Sequence, residues 1–176
     1  GDTSTNDSLV VLANGLAGNQ PVSAGSEDAA TFKEALLEVC VQLTREMARD
    51  GEGASRLIIV EVTGARDTAD ARKAARTVAA SNLVKSAVYG ADPNWGRVMM
   101  ALGCSGAATA EEKVDLFVNG VCIMMAGTPV PFHRDAVVAL MRGPEVTFGL
   151  NLHLGEGQAT AWGCDLSEEY VTINSQ

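Results

Sequence analysis

The chain has 176 residues, 47% of them hydrophobic, and a formal net charge of −9. That length can bury a sizeable core in one large domain or two small ones. The acidic balance, with a sequence pI near 4.6, argues against a nucleic-acid surface, which needs clustered Lys and Arg, and does not favour an anionic membrane.

Residues 4–15, STNDSLVVLANG, are expected to form a helix with a Ser/Thr N-cap and a glycine stop. LAGNQPVSAG is expected to be a loop. A longer helix is predicted over roughly 28–49, where Phe32, Leu36, Val39, Cys40, Leu43 and Met47 fall at helical spacing. DGEGASR then places Glu52 between two glycines, so the backbone can bend or approach something closely. A carboxylate displayed there is either a ligand for an amine or a solvated turn residue, and the residues alone leave both open.

RLIIVEVTG reads as a strand buried on both faces, with Glu61 as a carboxylate paired to a neighbouring base. DTADARKAARTVAAS is predicted to be an alanine-rich helix and LVKSAVYG, carrying Lys85, a second strand. ADPNWGRVMMALGCSG reads as a helix with Asp92 as N-cap and Pro93 at the first helical position. DPNWGR suits either an anion-ready helix start or a capped helix with Trp95 packed and Arg97 exposed. Residues 56–106 thus read strand, helix, strand, helix, an α/β pattern.

Further on, Asn119-Gly120 between apolar runs signals a hairpin. A short helix is expected near HRDAVVALMRG. Val146, Phe148, Leu150, Leu152 and Leu154 alternate with polar or small residues, as in a strand with one buried face. GEGQ would turn it into a further strand, and YVTINSQ, with Asn174, reads as a last strand. The expected fold class is α/β with mixed α+β layers. It divides into residues 1–110, an α/β portion carrying the Glu52 loop, and a smaller β-rich portion 111–176, unless both form one domain.

No Ser/His/Asp set, P-loop or dinucleotide fingerprint is visible, and His133 and His153 read as structural. Cys40, Cys104, Cys122 and Cys164 form no CxxC pair, so no metal site is expected and the cysteines read as reduced, buried residues of an intracellular protein. Apolar runs are far short of a membrane span. GDTSTNDS at the start is polar and lacks a basic region, so no signal peptide is expected. With no initial Met and a strand-like end, the chain reads as a processed or trimmed piece of a longer protein.

The segments GDTSTNDS…LANG, DGEGASRLIIVEVTGA, ASNLVKSAVYGADPNWGRVMMALGCSGA and AWGCDLSEEYVTINSQ occur in this order. Over the whole chain they resemble the β chain of the bifunctional ornithine acetyltransferase / glutamate N-acetyltransferase family of arginine biosynthesis. The resemblance implies a self-cleaving, N-terminal-nucleophile-like acetyltransferase fold with helices packed on β-sheets. It implies transfer of an acetyl group from N-acetylornithine to glutamate through an acetyl-threonine intermediate, the threonine being activated by its own α-amine.

An α chain from the same precursor is implied as partner, in an α2β2 assembly, with oxyanion donors from that α chain. No cofactor is implied, although bifunctional members also use acetyl-CoA as co-substrate. The implied location is the cytoplasm, or a plastid or other organelle in a eukaryote. The family's substrate-binding glutamate falls on Glu52 and its asparagine on Asn174, a carboxylate suiting the ammonium groups of ornithine.

The chain departs from the family pattern at both ends. The family's ATM-type threonine is absent, so the nucleophile is expected upstream of Gly1. None of Thr3, Ser4 and Thr5 is taken for it, and no catalytic residue is assigned in this chain. The substrate-contacting hydroxyl residue expected after INSQ is absent as well. Two other readings stay open: a related self-processing amidase or peptidase that uses water as acceptor, and a non-catalytic amino-acid-binding α/β module.

Overall fold

The computed structural model describes residues 6–175. They fall in two units, Gly1–Leu43 and Thr44–Gln176. In the first, residues 6–15 contain no helix, contrary to expectation, and residues 4 and 5 lie outside the described part. Leu9, Val10, Val11 and Leu12 form one unbroken apolar run, which cannot line a single helical face, and all four are exposed. A short helix without tertiary packing is marginal in water. The loop expected next is present.

α1 (Glu27–Arg49) starts with Glu27 and Asp28 in its first turn and ends with Arg49 in its last. Those charges oppose the helix dipole favourably at both ends. Its apolar residues follow helical spacing, yet none is buried; Phe32 is 64% exposed.

In the second unit a six-stranded mixed sheet has the order β4-β3-β2-β5-β1-β6. Its strands are β1 (Leu57–Ala65), β2 (Asp115–Val118), β3 (Val121–Met125), β4 (Thr128–Pro129), β5 (Glu145–Asn151) and β6 (Gly157–Cys164). Strands from both sides of residue 110 share this sheet. β1 runs parallel to β5 and antiparallel to β6. On one face Ile58, Val60 and Val62 sit beside Val146, Phe148 and Leu150, all buried. β1 is buried on both faces only over Leu57–Val60; Glu61 and Thr63 are exposed, and Glu61 joins none of the ion pairs among the described residues.

α2 (Thr68–Ala80) packs on β1 and β6 through Ala71, Ala74, Ala75 and Val78. Small side chains let the helix approach closely; a Cβ on Gly163 of β6 would meet the Ala79 carbonyl at 3.1 Å. Asn119 and Gly120 form the expected hairpin turn between β2 and β3, both with positive φ, 46° and 80°. That backbone twist matches the strands it joins. β5 shows the expected alternation, and the expected short helix is α5 (Arg134–Met141).

Three expectations are corrected here. LVKSAVYG is not a strand but α3 (Asn82–Tyr89), capped by Ser81 accepting from the Val84 amide. Val84, Ala87 and Val88 recur at helical spacing and are buried, so strand–helix–strand–helix becomes strand–helix–helix–helix. The next helix, α4 (Trp95–Gly103), is capped by Asn94 rather than Asp92. YVTINSQ is not a strand; α6 (Glu168–Asn174) starts at the Ser167 cap. The further strand expected after GEGQ is present as β6, which pairs with β1.

Of the cysteines, Cys104 is exposed and the other three are half-buried; none is in the buried core. No helix is long and apolar enough to cross a membrane among the described residues.

Candidate functional site

Glu52 occupies the connection between α1 and β1. The Asp50 amide donates to the Glu46 carbonyl and closes α1; the Ala54 amide donates to the Gly51 carbonyl at 2.9 Å and folds the tip. The flanking glycines are there because another segment presses on the loop. A Cβ on Gly51 would lie 2.7 Å from the Cys164 sulfur. Gly53 has φ +66°, and a Cβ there would lie 2.6 Å from the Tyr170 nitrogen. Both clashes come from the stretch linking the end of β6 to α6.

That stretch also supplies the polar ties. Asp165, its side chain fully buried, accepts hydrogen bonds from the amides of Ser55 (2.8 Å) and Arg56 (3.0 Å) and from the Ser55 hydroxyl (2.5 Å). Arg56 pairs with Asp165 at 3.7 Å and donates to the carbonyls of Val88 and Tyr89, at the C-terminal end of α3. A cation there complements the helix dipole. The Ser167 hydroxyl donates to the Gly53 carbonyl at 2.5 Å and accepts from the Tyr170 amide at 3.1 Å. Glu145, at the start of β5, accepts from Arg45 and Arg49 of α1 and so holds the end of that helix beside the sheet.

The two residues singled out in the sequence meet. Asn174 Nδ2 donates to Glu52 Oε2 at 3.0 Å, across 122 positions, and to the Tyr170 carbonyl at 2.9 Å. Both side chains are exposed. Among the described residues, Glu52 Oε1 and Asn174 Oδ1 carry no hydrogen bond. The pair therefore turns unused acceptors to solvent, and an ammonium group, with three donors and no acceptor, is the chemical complement.

Other candidates have structural roles. Lys85 lies under the loop, its Nζ 3.8 Å from the Cys164 sulfur. His133 caps α5, its Nδ1 accepting from the Ala136 amide at 3.2 Å. His153 Nε2 lies 2.7 Å from Asp115 Oδ2. The Ala126 amide, then His153, hold the Asp115 carboxyl below its ordinary range. In DPNWGR the expected packing is reversed: Trp95 is 40% exposed, while half-buried Arg97 donates to the Leu83 carbonyl and the Ser86 hydroxyl and joins α4 to α3. No group of three or more His, Cys, Asp or Glu that could hold a metal occurs among the described residues.

Ser55, Asp165 and Ser167 were not foreseen. Ser167 had a signal, a serine followed by two acidic residues at a helix start, masked by the strand-like alternation of Val171 and Ile173. Asp165 had none; a buried loop carboxylate leaves no periodic trace.

A sequence model described as the ArgJ family matches residues 1–176. The arginine biosynthesis bifunctional protein ArgJ of Symbiobacterium thermophilum is 55% identical over 174 residues, which are 99% of this chain and 43% of that protein. Its namesake in Bacillus licheniformis is 47% identical over 175 residues, with the same shares. The chain therefore spans about 43% of the length of these curated relatives. The crystal structure of the Bacillus halodurans arginine biosynthesis bifunctional protein ArgJ superimposes with a TM-score of 0.95 at 43% identity, covering 99% of this chain and 83% of that one. The mixed α/β fold expected from the sequence is the fold of that protein.

Proposed function

The chain belongs to the ArgJ family, and from that premise we propose that it is the substrate-reading β-chain part of an acetyltransferase of arginine biosynthesis. The acetyl group of N-acetylornithine passes to a threonine supplied by the polypeptide preceding Gly1, then to the amine of glutamate. Acetyl-CoA is a second acetyl donor if this member is bifunctional, as its relatives are named. An α chain of the same precursor completes the site in an α2β2 assembly, in the cytoplasm.

One observation carries the reading: Glu52 and Asn174, far apart in sequence and matched separately to the family's substrate residues, are hydrogen-bonded to each other at 3.0 Å. In the proposed mechanism the carboxylate of Glu52 neutralises an ammonium group of the bound amino acid. A further N–H of that group donates a hydrogen bond to Asn174 Oδ1. Together they anchor the donor's free ammonium so that its acetyl carbon faces the nucleophile. Such anchoring raises the rate by fixing orientation; the bond-making groups themselves lie in the rest of the enzyme.

The test uses the complete, processed enzyme carrying Glu52→Gln. A charge-assisted hydrogen bond is worth about 1.5–3 kcal/mol, so kcat/KM for acetylornithine should fall about ten- to a hundred-fold. Self-cleavage should persist, because the scissile bond offers no free ammonium group. Wild-type kcat/KM in a processed, folded variant would make Glu52 a turn residue only. Omitting glutamate tests the acceptor: continued acetate release at the same rate would indicate an amidase.

A further inference from the structure

We infer that Ser167 is a positioning residue, whose hydroxyl keeps Glu52 and Asn174 at the spacing that lets them share one ammonium group. The inference rests on the substrate role proposed above for those two side chains. Ser167 is only 5% exposed, one of the few buried polar residues. Its Oγ donates to the carbonyl of Gly53, the residue after Glu52, and accepts from the amide of Tyr170 in the first turn of α6. Asn174 is the last residue of that helix. One oxygen atom thus touches both backbones that carry the site.

A helix cap needs only an acceptor. Here the hydroxyl proton does something else, tying a loop carbonyl 114 positions away. Among the described residues, two hydrogen bonds join loop Asp50–Ala54 to the segment 167–175: this one and the Glu52–Asn174 bond. The second must loosen when a substrate ammonium takes over the carboxylate. The first does not involve the ligand, so of the two it is the one that persists while the site is occupied.

The geometry separates the two jobs of the hydroxyl. Aspartate caps a helix as well as serine but, ionised, has no proton for the Gly53 carbonyl. In the complete, processed enzyme, Ser167→Asp should lower Tm, because a buried carboxylate would face the Gly53 carbonyl, and, where it still folds, lose about three- to ten-fold in kcat/KM for acetylornithine, mainly through KM. Ser167→Thr, which keeps both bonds, should restore it. In a Glu52→Gln background, Ser167→Asp should change kcat/KM less than about two-fold, since residues acting as a unit are not additive.

A folded Ser167→Asp enzyme with wild-type kcat/KM overturns the inference, and so does an equal loss in both backgrounds. If Ser167→Asp does not fold, Ser167→Ala replaces it in the same cycle. A loss that disappears with Glu52→Gln supports the positioning role, and one that persists overturns it. Should Glu52→Gln itself behave as wild type, the substrate reading fails, a result distinct from any of these.

Discussion

Replacing Asp165 by alanine tests whether the Glu52 loop is held by a buried carboxylate. The substitution strips partners from two main-chain amides, Ser55 and Arg56, and from the Ser55 hydroxyl. It also leaves the Arg56 guanidinium without its anion; Arg56 Nε already lacks a hydrogen-bond partner. An unsatisfied buried donor costs about 1–3 kcal/mol, and breaking a buried charge pair costs about 3–5 kcal/mol. These overlap, because the same carboxylate serves all of them, so the expected loss is about 3–5 kcal/mol. That is a large part of the roughly 5–15 kcal/mol of an ordinary domain.

Asp165→Asn should cost less, about 1–2 kcal/mol. Its Oδ1 can still receive both amides, and the Ser55 hydroxyl can rotate to accept from the new amide. Urea unfolding measures both variants, and an unchanged m-value would show that the midpoint shift reports stability. If both stay within about 0.5 kcal/mol of wild type, the range of an ordinary surface change, Asp165 is not what holds the loop.

Gly53→Ala forces a side chain onto a positive-φ residue at a point 2.6 Å from the Tyr170 nitrogen, so it should lower Tm and kcat/KM together, with a stability cost of about 1–3 kcal/mol; wild-type values for both would refute the close packing. Asp115 has a folded pKa depressed below its usual 3.8, first by the Ala126 amide and then by His153. Its contribution is therefore present above that ordinary value and is lost as pH falls through the folded one. Asp115→Asn should flatten the acid limb of stability below about pH 4, and an unchanged limb in pH-dependent unfolding would contradict the pairing.

Legibility in the sequence followed the strength of local signals. β5 was readable because Val146, Phe148 and Leu150 alternate without interruption, and Asn119-Gly120 because few other pairs accept two positive φ angles. α3 and α6 were misread for one reason. LVKSAVY and YVTIN are short and contain β-branched residues, and in short apolar stretches the two periodicities cannot be told apart. What decided for helix was capping: Ser81 and Ser167 each accept an amide hydrogen three residues on. For Glu52 the flanking glycines marked a close approach but could not say by what. The answer, residues 164–170, is contact over more than a hundred positions, which no local pattern records.

Sheet topology explains why this site can exist at all. β1 and β6 are antiparallel, with Leu57 opposite Cys164. The residues entering β1 and those leaving β6 must therefore emerge at the same end of the sheet, and Glu52 and Asn174 lie on those two segments. Their meeting depends on register. Sliding β6 by two residues would preserve which side chains face the core but carry α6 about 7 Å along β1, beyond hydrogen-bond reach. Several features oppose such a slip. The pairing shifts between Val62 and Ala65, so the ladder is not uniform. Gly157 fits against the Asp67 backbone, where a Cβ would come within 2.2 Å, and Gly163 fits under the Ala79 carbonyl. A two-residue slide would bring Ala159 to the Gly157 position in one direction, or Ala161 to the Gly163 position in the other, and either Cβ would be crowded. The small residues that let α2 lie close to the sheet therefore also set the position of the Glu52–Asn174 pair at its end.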